Sequence, residues 1–282
     1  MSEACKVCFR HCKPREGELG ICLARRMVDG RVIDDNYGKL TFLQLDPIEK
    51  KPLRDFYPGS KILSVGSYGC NLFCPFCHQS NISTAGPGDV FTHNYTPEEL
   101  RDLAISMKPQ GNIGVAYTYN EPMVSYEFVR DTARLVHEAG MKNVLVTNGT
   151  AEVEVLEELL PYIDAMNVDF KGFDYSYYHK TLGGDIKIVI KFIERAIRDC
   201  HVEVTTLVVP QENDSEMTIR MISSWLANLN ETYGTDIPLH ICRFFPAYKM
   251  IDKYPTNPDV IQHLADVAGE KLNHVYVSNS LR

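Results

Sequence analysis

A strand-like apolar run, Lys61–Gly66, leads directly into Gly69-Cys70-Asn71-Leu72-Phe73-Cys74-Pro75-Phe76-Cys77. Thiolates three or two residues apart can converge on one metal centre, so this stretch is expected to fold as a loop around a ligand. A cube-shaped 4Fe–4S cluster takes four ligands, and three cysteines leave one iron open to a small molecule. Catalytic zinc keeps a position free in the same way, and a zinc site completed by His78 uses the same residues. Spacing alone leaves both open.

The 282 residues allow one large core, or a core with a small appendage. No apolar stretch approaches the roughly 18 residues of a membrane span. The start, Met1-Ser2-Glu3-Ala4-Cys5-Lys6, lacks the apolar centre of a signal peptide. A cytoplasmic chain without a membrane partner is therefore expected. The net charge of −8 argues against nucleic acid as a partner, because that requires a basic footprint. Seven of the nine cysteines fall within the first 77 residues, which points to metal or redox chemistry rather than disulfides. Cys200 and Cys242 stand alone and read as inert buried thiols.

From Lys61 onward, strand patterns alternate with helix patterns. Strands are expected at Lys61–Gly66, Asn112–Tyr117, Asn143–Thr147, Ala165–Asp169, Val202–Val209, Pro238–Ile241 and His274–Val277. Helices are expected at Thr96–Met107, Val124–Ala139, Ala151–Leu160, Ile186–Asp199, Ser215–Tyr233 and Asn257–Lys271. Such alternation favours a parallel α/β sheet. Seven strands are too few for a regular eight-fold barrel, so a partial (β/α) TIM-like barrel is expected. Residues 59–282 would form it, preceded by a cysteine-rich segment and linker over residues 1–58. Function gathers at the C-terminal ends of strands in such folds. There the sequence carries Cys70, Tyr117-Thr118-Tyr119-Asn120-Glu121-Pro122, Thr147-Asn148-Gly149 and Asp169-Phe170-Lys171.

The pattern C-x3-C-x2-C, with an aromatic residue before its last cysteine, resembles the signature of the radical S-adenosylmethionine (radical SAM) superfamily. In order, the rim clusters extend that resemblance from about Ser60 to Ser278. Within the superfamily the chain looks like the pyruvate formate-lyase activating enzymes, and more narrowly the radical SAM protein of the AmmeMemoRadiSam system. The narrower likeness lies in the N-terminal cysteines, Asp46-Pro47-Ile48-Glu49-Lys50-Lys51-Pro52-Leu53, Tyr57-Pro58-Gly59-Ser60, Tyr117–Pro122 and Arg243-Phe244-Phe245-Pro246-Ala247-Tyr248-Lys249-Met250.

The resemblance implies that Cys70, Cys74 and Cys77 hold a 4Fe–4S cluster whose open iron binds S-adenosylmethionine. Reductive cleavage would give methionine and a 5′-deoxyadenosyl radical, which takes hydrogen from a protein, peptide or small-molecule substrate. An electron donor such as flavodoxin or ferredoxin is implied as a partner. The resemblance sets Phe76 near the adenine, although an ordinary core aromatic fits too. Tyr119-Asn120-Glu121 stands in place of a Gly-Gly-Glu motif, with Glu121 as partner of the cofactor's ammonium; a carboxylate there also suits a helix start. Thr147 and Asn148 could reach the ribose or carboxylate, or form a turn. Asp169 and Lys171 alternate along a strand and so share a face, toward the cofactor or as a structural ion pair. His240 matches a histidine near the cofactor in the activating enzymes, or is structural. A non-catalytic zinc-binding adaptor is the competing class.

Cys5, Cys8, Cys12 and Cys22 supply a full second set of thiolates, with His11 as a spare. Zinc and a second iron–sulfur cluster both take such a set.

Overall fold

Asp29 and Gly30 both have positive φ, 51° and 76°, the backbone of a tight type I′ hairpin turn. They join β1 (Arg25–Val28) to β2 (Arg31–Asp34) as an antiparallel pair. The computed structural model describes residues 3–278. β3 (Lys39–Leu40) precedes β4 (Phe42–Pro47) and β5 (Lys61–Gly66), which pair antiparallel; β6 (His93–Asn94) returns to pair with β3. Six further strands follow: β7 (Asn112–Tyr117), β8 (Lys142–Thr147), β9 (Ala165–Asp169), β10 (His201–Val208), β11 (Leu239–Arg243) and β12 (Val275–Ser278). The main sheet runs β12-β11-β10-β9-β8-β7-β5-β4. All its pairings are parallel except the one between β4 and β5. Among the described residues the ladder has two ends, so the barrel is partial, as the alternation of elements requires.

A single turn, α1 (Ser80–Ser83), follows the cysteine loop. The longer helices are α2 (Pro97–Ser106), α3 (Tyr126–Glu138), α4 (Val153–Leu159), α5 (Ile186–Ala196), α6 (Glu216–Tyr233) and α7 (Pro258–Gly269). Their starts are chemically marked. Thr96 and Glu99 satisfy each other's backbone amides in a capping box ahead of α2, and Ser215 and Asn257 cap α6 and α7. The expected strands and helices all form, with ends shifted by one to a few residues, which is the usual uncertainty of frayed termini.

One segment behaves differently from its sequence reading. Asp46–Pro52 looks like a linker, yet the chain from Pro47 to Phe56 closes the floor of the barrel. Ile48, Leu53 and Phe56 pack against Ile62, Ala116, Val144 and Ala165 from four neighbouring strands. Ile48 and Leu53 have no exposed surface. Three apolar residues scattered among charges carry no periodicity, so the pattern hid the role. Polar groups fix the plug's height. The Pro52 carbonyl accepts from Asn167 Nδ2 at 2.9 Å, and the backbone N–H groups of Arg54 and Asp55 donate to the Glu203 carboxylate at 3.0 and 2.9 Å.

Glu203 also receives His201 Nε2 at 2.9 Å and His240 Nε2 at 2.6 Å. Burial alone would raise its pKa. The two histidines and the two backbone amides outweigh that and hold it at about 2. A depressed carboxylate contributes stability that is present above its unfolded pKa, near 4.5, and lost as pH falls toward 2. Glu203→Gln is expected to lower stability at pH 7 by roughly 3 kcal/mol, with the gap to the parent narrowing below about pH 4.5. Denaturant midpoints measured across pH check this; a gap that stays constant down to pH 3 contradicts it.

Candidate active site

Above the plug, the C-terminal ends of β5 and β7–β11 surround a cavity of about 470 Å³. Of the residues expected at a site, Cys70, Cys74, Cys77, Phe76, Tyr119, Asn120, Glu121, Thr147, Asn148, Asp169 and Lys171 all line it. His240 does not. Its ring sits one layer lower, against Glu203 and 5.3 Å from the Tyr276 ring, where it braces the floor. Cys242 is buried as expected, and it borders the cavity.

The cysteine loop is held by amides rather than by glycines. Asn120 Oδ1 accepts from Ser67 N at 2.9 Å, while its Nδ2 donates to the carbonyls of Tyr68 and Gly69, both at 3.1 Å. Tyr119 adopts φ 73°, and its hydroxyl donates to Asp46 Oδ2 at 2.8 Å. Asn148 Nδ2 donates to Asn71 Oδ1 at 2.9 Å and lies 3.8 Å from Cys70 Sγ. Cys77 Sγ lies 3.2 Å from Ser83 Oγ on α1.

Glu121 is the polar centre of the rim. It is 3% exposed and accepts from Thr147 Oγ1 at 2.6 Å, Asn148 N at 2.7 Å and Met123 N at 3.1 Å. Burial nevertheless pushes its pKa up to about 7. Across the cavity, Lys171 Nζ stands 3.5 Å from Asp169 Oδ2. Burial opposes the ammonium, but Asp169 and Cys74 together hold its pKa above the ordinary lysine value. A third charge group was missed in the sequence. Asp46 pairs with Lys51 at 2.9 Å and Lys50 at 3.1 Å, and Lys51 lies 4.6 Å over the Tyr119 ring. With Gln44, Arg243 and Phe245 it lines the same cavity. The only sequence signal was the segment Asp46–Pro52, which read as a connection.

Among the described residues, no three His, Cys, Asp or Glu side chains stand where they could clasp a single metal ion. Zinc held by three cysteines and a histidine demands that closeness, with bonds of about 2.0–2.3 Å to one point. A multi-iron cluster spreads its ligands around a larger body, and three thiols lining a cavity of about 470 Å³ fit that demand. Burial drives the Cys70 thiol well above its usual pKa and Cys74 to about 11, Lys171 pulling the latter down. Bare, these groups are thiols at neutral pH; they become thiolates by binding a cation.

The first cysteine set gathers separately. Cys5, Cys8, Cys12 and Cys22 border one small pocket together with Arg10 and Arg25. His11, the expected spare ligand, instead pairs with Glu152 at 3.1 Å.

The sequence matches the family model described as the radical SAM superfamily over residues 64–222. An uncharacterized protein of Methanocaldococcus jannaschii is 38% identical over 277 residues, covering 98% of this chain and 80% of that protein. The pyruvate formate-lyase-activating enzyme of Clostridium pasteurianum is 26% identical over 178 residues, covering 61% of this chain and 72% of that enzyme. Among solved structures, HydG, a maturase of the FeFe hydrogenase, superposes with a TM-score of 0.60 at 16% identity, covering 78% of this chain and 51% of that one. That last likeness is one of fold. No described helix is long and apolar enough to cross a membrane.

The cavity's electrostatics are open to direct measurement. In metal-free protein, Lys171→Met removes the cation that favours the Cys74 thiolate, so alkylation of Cys74 by iodoacetamide at pH 8 should slow several-fold. Peptide mass spectrometry reads the rate; unchanged labelling would separate the two groups.

Proposed function

Because this chain belongs to the radical SAM superfamily, we propose that Cys70, Cys74 and Cys77 hold a 4Fe–4S cluster and that S-adenosylmethionine binds beside it in the cavity. Held there, the cluster would supply the one electron for reductive cleavage of S-adenosylmethionine to methionine and a 5′-deoxyadenosyl radical able to take hydrogen from a substrate. One observation carries the reading: three cysteines and a buried, hydrogen-bonded carboxylate line the same cavity.

The chain's own residues then have definable work. Asn120 fixes the loop backbone so that the three sulfurs keep their spread. Asn148 lends a weak N–H to Cys70 Sγ. Three of the roughly four acceptor directions of the Glu121 carboxylate are taken by the rim, and the remaining one can receive the methionine ammonium of the cofactor. Asp169 and Lys171 set opposite charges before a zwitterionic ligand, so neither faces a mismatched partner. Phe76 offers an apolar face for the adenine. The plug of Ile48, Leu53 and Phe56 keeps water from entering below, which a carbon radical requires.

The substrate is read as a glycyl residue of a partner protein, supported by the likeness to relatives named as activating enzymes. A peptide or small molecule is the second reading, since Lys50, Lys51 and Arg243 against Asp46 leave that part of the lining net cationic and suited to a carboxylate. A flavodoxin- or ferredoxin-like donor would supply electrons.

Anaerobic reconstitution should yield a brown protein that releases 5′-deoxyadenosine when given reductant and S-adenosylmethionine. Cys70→Ala, Cys74→Ala or Cys77→Ala should each abolish release while circular dichroism stays that of the parent. A colourless zinc protein, or turnover in any of these variants, refutes the reading. Glu121→Ala should weaken S-adenosylmethionine binding about ten- to a hundredfold, the worth of one charged hydrogen bond, while iron content stays near the parent value. Calorimetry and metal analysis on the same sample separate the two effects.

A further inference from the structure

Gly69 has φ +87°, and a Cβ there would stand 2.4 Å from the carbonyl oxygen of Cys22. The missing side chain lets the N-terminal segment press its backbone against the cavity's cysteine loop. The contact is a hydrogen bond: Cys70 N donates to Cys22 O at 3.2 Å. One residue of each cysteine set is thus joined to the other through a single peptide hydrogen bond. A second bridge runs through side chains. Arg10, which borders the N-terminal pocket, donates from Nε to Asn71 O at 2.7 Å, and Asn71 contacts Asn148 beside Cys70.

Cys5, Cys8, Cys12 and Cys22 border one small pocket. A single zinc ion would need its four sulfurs about 2.3 Å from one point, and among the described residues no three such side chains stand that close together. Arg25 adds an independent sign of an occupant. It is 4% exposed and lines the pocket. Its outer nitrogens are bound to Glu127 and Val124, yet its buried Nε has no hydrogen-bond partner. A buried unpaired donor is costly, and a thiolate or sulfide of an anionic cluster would satisfy it.

We propose that Cys5, Cys8, Cys12 and Cys22 hold a second 4Fe–4S cluster that relays electrons to the cavity through the Cys22–Cys70 hydrogen bond. The relay half rests on the radical SAM reading of the cavity; the site itself does not. The electron balance is simple. A low-potential one-electron donor protein reduces the outer cluster by one electron. That electron passes inward, and the outer cluster returns to its oxidised state with no proton or atom transferred.

The test uses the full chain, reconstituted without oxygen. The parent should carry about eight irons and eight sulfides, and Cys8→Ser or Cys12→Ser about four of each. Cys12 is the partly exposed member of the set, so its variant guards against simple unfolding. The Cys70→Ser/Cys74→Ser double variant should keep about four irons, with a reduced paramagnetic resonance signal that ignores added S-adenosylmethionine. One zinc beside four irons in the parent, or four irons with no N-terminal metal, overturns the site. For the relay, Cys12→Ser should slow S-adenosylmethionine cleavage at least about tenfold more with reduced flavodoxin than with dithionite. Equal slowing with both donors overturns the relay. If instead the cavity reading fails, no signal in any sample responds to S-adenosylmethionine, while the iron count of the N-terminal site stands.

Discussion

The buried carboxylate of Glu203 ties the floor of the cavity to its wall, and the floor on which the site stands depends on that tie. A sheet whose ends do not meet cannot seal itself, so something must fill the space between strands. Here the chain between β4 and β5 does so, with Ile48, Leu53 and Phe56 as the filling and Glu203 as the clamp. The clamp works because the carboxylate is fully buried and receives four donors, two from histidine rings and two from the plug's backbone. A lone carboxylate at that depth would protonate instead. The same interaction explains why His240 faces downward: its nitrogen belongs to the floor.

Upward from the floor, the cavity is lined by opposed charges, several of them buried. Glu121, the Asp169–Lys171 pair and the Asp46–Lys51–Lys50 group divide the rim into three polar stations, with the cysteines between the first two. In such surroundings a charge left facing nothing is expensive, and a ligand of matching charge gains accordingly. On the function proposed above, a zwitterionic methionine head would meet the station at Glu121 and the pair at Lys171, and the cationic group around Asp46 would face the substrate.

Much of this was legible in the sequence, for identifiable reasons. Buried parallel strands read as apolar runs, and helix caps such as Thr96 and Ser215 announce themselves. The convergence of the rim residues was legible because parallel strands all end on one side, so residues distant in sequence share a mouth. What was hidden depends on direction and depth. His240 lies on the expected strand, but only the depth of Glu203 decides where its ring goes. The plug was hidden because three apolar residues among charged ones have no period. The cationic group stayed hidden because Lys50 and Lys51 resemble any solvated pair until Asp46 and Tyr119 are seen beside them.

Gly69 brings a different kind of vulnerability. Most surface-loop positions tolerate a graded range of side chains, with larger ones costing more. At residue 69 even a methyl group collides with the Cys22 carbonyl, and the left-handed backbone disfavours any substituent as well. Tolerance there is all or none: alanine and tryptophan should fail alike, because the first carbon atom already separates the amino-terminal segment from the barrel.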